Sequence, residues 1–187
     1  MKRFWIYAFC MAVLSVSGFA GYRFEEVVVE YWAGQGSNQA MIVLDFDENL
    51  SFAFGYKWSG VKSSYDALLA VDAYSADFTM ISHWEDGVGG YMIDELKYQG
   101  ATQRGATWSF FTATDGLDWS SSWVGASDRF LDDGDWDGWA SGDWYWAGPG
   151  DWDYAFSGTV RTPVVPEPAA MGLLGLGGIS ALRIRRK

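Results

Sequence analysis

Residues 135–158 divide into three octads, Asp135 to Gly142, Asp143 to Gly150 and Asp151 to Gly158, each opening Asp-Trp and closing on Gly. A period of eight is too short for the paired helices of a solenoid repeat, and a glycine at each octad's end supplies a natural turn. The stretch therefore predicts short strands and hairpins that present Trp136, Trp144 and Trp152 alike, with Trp139 among them. Two uses of these indoles are open. They can close the open end of a sheet, since aromatic area dominates packing wherever it is buried. They can instead form a platform for sugar rings or other flat apolar faces, with the neighbouring Asp carboxylates bonding hydroxyls. Eight of the 12 Trp lie between Trp108 and Trp152, in a chain that is 18% aromatic.

Both ends read as processing signals. Lys2 and Arg3 precede an apolar run from Phe4 to Val16, and small residues at Gly18 and Ala20 stand where signal peptidase requires them. Residues 1–20 are accordingly expected to be a signal peptide cut after Ala20; an N-terminal membrane anchor is the alternative, but the run is short for a span. At the other end Val165-Pro166-Glu167-Pro168 is followed by a small-residue apolar stretch, 169–182, and by Arg183, Arg185, Arg186 and Lys187. That order resembles the PEP-CTERM sorting tail of exported bacterial proteins. The resemblance implies that an exosortase, a membrane transpeptidase-like enzyme, recognises Pro166, Glu167 and Pro168 and cuts near them.

Elementary dimensions agree with a transient anchor. Fourteen residues at about 1.5 Å each reach about 21 Å, short of the roughly 30 Å hydrocarbon core, so the tail would hold a membrane weakly. The basic end would stay cytoplasmic and leave the Pro-Glu-Pro segment outside, extended by its prolines. A tail anchor that is never cut is the other reading. The expected route is export across the cytoplasmic membrane, a brief anchored stage, then the cell surface or extracellular matrix.

Between these ends the charge is lopsided. Residues 21–162 hold 23 acids and 7 bases, a balance of −16 against −11 for the whole chain. Such a field repels phosphate backbones and excludes nucleic acid as a partner, while it attracts divalent cations and basic surfaces. The single cysteine, Cys10, belongs to the signal peptide. The exported chain must then be held by its core, by bound ions or by assembly rather than by disulfides.

Residues 21–162 are expected to form one domain, with 163–187 as linker and sorting tail. Phe24 to Trp32, centred on Val27, Val28 and Val29, predicts a first strand; Gln39 to Phe46 and Ser51 to Trp58 predict a hairpin about Asp47-Glu48-Asn49-Leu50. Ser63-Ser64-Tyr65-Asp66 has the form of a capping box, and a helix is expected over 64–73. Asp77 to Trp84, Tyr91 to Tyr98 and Thr107 to Thr112 predict further strands. The pieces Tyr65 to Leu69, Gly90 to Leu96, Trp108 to Phe111 and Leu131 to Asp135 follow in the order found in the transcobalamin-like β-grasp domain, which the region 63–139 resembles. The resemblance implies an α+β fold, a β-grasp-like, mostly antiparallel sheet with one helix, here followed by the Trp/Asp-rich β extension.

Asp133, Asp135 and Asp137, with Gly138, carry the D-x-D-x-D-G opening of a calcium loop, whose alternating oxygen ligands suit a hard cation. The loop is incomplete, because Trp144 stands where the closing Glu belongs. Calcium binding and an ordinary strand-linking turn are both open; no other cofactor is expected. His83 is the only histidine and reads as a strand residue, so neither a zinc cluster nor a Ser-His-Asp site is expected. No spacing selects a carboxylate pair for glycoside hydrolysis, the weakest alternative. The expectation is a non-enzymatic surface or matrix protein acting by binding or assembly, with a glycan or small-ligand (corrinoid-like) receptor as the competing class.

Overall fold

Strand β2 (Asn38–Asp47) is apolar without a break from Ala40 to Leu44 and again at Phe46, which suits a strand buried on both faces. Its alternate residues serve two separate cores: Ala40, Ile42, Leu44 and Phe46 enter one, Met41 and Val43 the other. With β3 (Leu50–Trp58) it forms the predicted hairpin, closing where Asp47 pairs with Leu50. The computed structural model describes residues 21–47, 49–102, 107–148, 151–155 and 160–165, with side chains over 21–47, 49–102, 108–141 and 160–165.

The predicted helix is α1 (Ser64–Tyr74). Its capping box is reciprocal: the Asp66 N–H donates to Ser63 Oγ at 3.2 Å and the Ser63 N–H donates to Asp66 Oδ2 at 3.0 Å. Ala67, Leu68 and Val71 form its buried face.

The β-grasp expectation is overturned. The described residues are mostly β, in two sheets with one α-helix, and β-sandwich-like. The larger sheet runs β1 (Val29–Gly34), β3, β2, β9 (Trp136–Gly148), β7 (Thr107–Ala113) and β8 (Ser120–Ser121), with β10 (Asp151–Ala155) also on β9. It is mixed, since β1 lies parallel to β3 and β2 parallel to β9. Those two pairings explain the departure. A strand has two edges, and with β1 on β3 and β9 on β2 the central hairpin has none left for β4 (Phe78–Glu85) and β5 (Gly90–Tyr98). These pair with each other and, with β6 (Ala101–Thr102), make a separate antiparallel sheet.

The larger sheet is covered on both faces. On one side α1 and the small sheet close a core that includes Phe54, Leu68, Phe78, Leu96, Trp108 and Trp139. On the other, the segment around Phe24, the loop bearing Trp119 and the returning Val160 pack over Met41, Val43 and Trp136.

The octads also fold differently from expectation. Strand β9 runs without a break through Gly142-Asp143, the boundary between the first two, so that glycine is no turn. Within the first octad Gly138 makes room instead: a Cβ there would stand 2.7 Å from both the Trp119 ring and Val160. The second and third octads do make a hairpin, with Trp144 opposite Tyr154 and Trp152 opposite Trp146 in backbone register.

Candidate functional site

The four tryptophans expected to share a platform do not share a surface. Trp136 is 1% exposed and Trp139 is 3% exposed, in different cores on opposite faces of β9. An odd separation along a strand forces that outcome. The backbones of Trp144 and Trp152 sit on β9 and β10, and their side chains fall outside the described residues.

The three expected cation ligands are dispersed as well. Asp133 Oδ1 accepts the Gln39 N–H at 2.8 Å, pinning the turn to β2. Asp135 Oδ2 accepts the Asp132 N–H and meets Arg129 Nη2 at 2.8 Å. Asp137, wholly buried, lies 3.6 Å through Oδ1 from Arg129 Nε. The chain enters β9 at Trp136, so it runs extended where a calcium loop would curl, and the Arg129 guanidinium already supplies a positive charge to two of the carboxylates. Among the described residues no group of three or more His, Cys, Asp or Glu side chains is arranged to hold a metal ion.

Asp137 is unusual in its own right. Neither carboxylate oxygen, nor Arg129 Nε, makes a hydrogen bond of good geometry, although the Ser64 hydroxyl and the guanidinium lie close by. Burial pushes its carboxyl up to about 7, opposed by the Ser64 hydroxyl and by Arg129, and reinforced by Asp135. Beside this pair opens a polar cleft of about 350 Å³, lined by Thr112, Asp118, Ser120, Arg129 and Asp135. A larger cleft, about 580 Å³, lies at the same end of the sheet with Phe24, Trp32 and Trp136 on its wall and Arg23, Glu25 and Gln39 at its polar parts. Lys57 Nζ sits 4.9 Å from the Trp32 ring centre.

The most fully built feature is where the chain leaves the domain for its sorting tail. Val160 is buried in the second core. Arg161 then grips Asp45, which is 6% exposed: its backbone N–H and Nε reach Oδ2 at 2.9 and 3.0 Å, and Nη2 donates to Oδ1. Burial raises the Asp45 carboxyl while the Arg161 hydrogen bonds and charge oppose the shift. Thr162 Oγ1 donates to the Gly116 carbonyl. Next, the Val28 N–H donates to Pro163 O at 2.8 Å, Val27 and Val164 form an antiparallel bridge, and the Val165 N–H donates to Glu26 O at 2.8 Å. Val165 is thus tied to the body of the domain immediately before Pro166.

Sequence reasoning did not find the Asp45–Arg161 pair. The signal available was weak: Arg161 is the sole base between Arg129 and the tail, and Asp45 interrupts an apolar strand. Pro166, Glu167, Pro168, Arg183, Arg185, Arg186 and Lys187 lie outside the described residues, as does the predicted signal peptide. No helix among the described residues is long and apolar enough to cross a membrane.

Residues 164–187 match the PEP-CTERM protein-sorting motif. No curated protein matches the chain. The motif marks an exported protein that an exosortase sorts to the cell surface, whereas the transcobalamin-like reading of the preceding region gains no support.

Proposed function

We propose that this chain is a cell-surface or extracellular-matrix protein that reaches its site by exosortase sorting and acts there by binding or assembly, without turnover. The observation that carries the reading is the strap from Val160 to Val165, locked by Arg161 on Asp45 and by backbone bonds to Glu26 and Val28. An ion pair between half-exposed Arg161 and buried Asp45, four residues before Val165, gives the tail a fixed point of departure. The Pro-Glu-Pro segment then starts at the domain's edge, with no spacer between fold and motif, and a cut beyond Val165 leaves every strap contact in place.

The test is to replace Pro166, Glu167 and Pro168 by alanine in the native host and to fractionate the cells. The parent chain is expected at the surface or in the medium, shortened at its C-terminus beyond Val165. The variant is expected to remain uncut in the membrane fraction. Identical distribution and mass of the two would overturn the reading.

A second reading has its own observation. The cleft of about 580 Å³ joins four aromatic residues, Tyr22, Phe24, Trp32 and Trp136, to charged and amide groups, the mixture expected of a small-ligand site. In that reading Trp136 contributes to the wall of a pocket instead of an open platform. Saturable quenching of tryptophan fluorescence by a glycan or corrinoid, abolished in Trp32→Ala, would favour it over assembly.

A further inference from the structure

The far end of the small sheet carries an aromatic ladder that starts at the margin of the first core, against which Tyr65 packs, and runs out into solvent. Tyr65, in the first turn of α1, stacks on Tyr91 of β5 with ring centres 4.3 Å apart and planes within 4°. Trp84 of β4 meets Tyr91 edge-on at 5.4 Å. Strands β4 and β5 run past the cover of the helix here, so residues on the inward-facing side of the sheet come into solvent: Trp84 is 53% exposed and Tyr91 39%.

The rings are held in place by polar contacts. Tyr65 Oη and Ser82 Oγ share a hydrogen bond at 2.9 Å, the Trp84 indole N–H donates to Asp86 Oδ1 at 2.8 Å, and the Tyr91 N–H donates to Ser127 Oγ at 2.9 Å. Rings fixed before a ligand arrives lose little freedom on binding it.

The surroundings are acidic. Asp86 bonds Trp84, and Asp128 reaches within 3.9 Å of the space beside Gly90, next to Tyr91. The bases at hand are already matched: Lys62 with Asp66 at 3.5 Å, and His83 with Asp94 at 2.9 Å and Glu85 at 3.7 Å. Exposed carboxylates at the rim therefore leave a negative local field, set within a domain whose balance is −16.

We propose that the Tyr65–Tyr91–Trp84 ladder binds a polysaccharide bearing free amino groups, a glucosamine-type polymer. The apolar C–H faces of the sugar rings would lie on Trp84 and Tyr91, and the ammonium groups would meet Asp86 and Asp128. Charge decides among occupants. Uronate or sulfated chains and phosphate are repelled, and a second copy of this chain brings a like charge of its own. A lipid surface would have to strip water from the carboxylates that hold the rings. A neutral sugar would stack but leave the rim charges unused.

The physiological use of such a site rests on the surface reading above; the binding itself does not, since it is measured in solution. The full chain, kept soluble in a polyoxyethylene detergent that presents no sugar, is titrated calorimetrically at pH 6 with fully deacetylated glucosamine hexamer, its N-acetylated counterpart, a uronate hexamer and hexalysine. Saturable binding of the glucosamine hexamer is expected, at least tenfold tighter than each of the other three. It should weaken severalfold between low and physiological salt and at least tenfold in Trp84→Ala and in Asp86→Asn, with folding of both variants checked by circular dichroism. No saturable binding, equal binding of hexalysine or of the N-acetylated hexamer, or unchanged affinity in folded Trp84→Ala would overturn the proposal. None of those results would bear on the sorting assay.

Discussion

On the larger sheet and the segments packed over it, Trp58, Trp108, Trp119, Trp136 and Trp139 are each no more than 9% exposed, whereas Trp84 on the small sheet is 53% exposed and Trp123, in the loop just past β8, stands fully in solvent. The polar atoms follow the same division. The indole N–H groups of Trp58, Trp108, Trp119 and Trp139 are buried without a partner, while that of Trp84 is met by Asp86. A buried unpaired N–H costs about 1–3 kcal/mol, which the large apolar area of an indole outweighs when the ring is sealed in a core. At the end of the small sheet the rings have no cover, and there a carboxylate orients the indole. Coverage of the face, rather than abundance of tryptophan, separates the indoles that hold this protein together from those free to meet a ligand.

The largest effect expected from that contrast is at Trp136. Its ring lies 5.1 Å from Phe24 and 6.4 Å from Trp119, inside the second core. Trp136→Ala should destabilise the protein by about 3–5 kcal/mol in urea melts, the range for emptying a buried aromatic site. A loss under about 1 kcal/mol would break the contrast, since it would mean that the second face of the sheet is not a true core.

How much of this was legible in the sequence depends on the distance over which each feature is decided. The β2–β3 hairpin and α1 are set by neighbouring residues, by alternation and turn in the first case and by the Ser63–Asp66 box in the second, and both appear where expected. The sorting tail is read by a motif in adjacent residues and needs no fold at all. The sheet order is different. Whether β4 joins the hairpin edge depends on β1 and β9, which reach it by parallel pairings from both ends of the domain. Nothing local in Val29–Gly34 or Trp136–Gly148 announces those partners. The glycines of the octads misled for a related reason: Gly138 answers to Trp119 and Val160, residues brought to it only by the fold. The ladder was missed because Tyr65, Trp84 and Tyr91 lie on three elements and form no motif.

Polar groups sharpen the contrast at the next level of effect. Asp137 sits in the covered sheet with its carboxyl pushed up to about 7, above the ordinary value near 4 that it regains on unfolding. The native state therefore keeps a proton that the unfolded chain has released. Stability should fall as pH rises from about 4 through about 7 and then level off, by up to about 4 kcal/mol at 1.4 kcal/mol per pH unit. Asp137→Asn should remove this component of the slope and raise stability at pH 8 by about 2–4 kcal/mol, measured as urea midpoints across the pH range. An unchanged slope in the variant would show that solvent or Arg129 keeps the buried carboxylate charged at little expense.

The smallest effect on stability belongs to Trp84, and its smallness is the point. The ring keeps half its surface in water, contacts Tyr91 by an edge worth about 0.5–1.5 kcal/mol beyond its area, and gives Asp86 a bond that water can replace. Truncation opens no cavity, because no second layer closes over the ring. Trp84→Ala should therefore shift the urea midpoint by no more than about 1 kcal/mol, the range of substitutions outside a core. If the loss instead approached that of Trp136→Ala, the inner face of the small sheet would be sealed at its far end as well as beneath the helix. The ladder would then be a third piece of core, and the distinction between covered and uncovered sheets would fail at the residue on which it most depends.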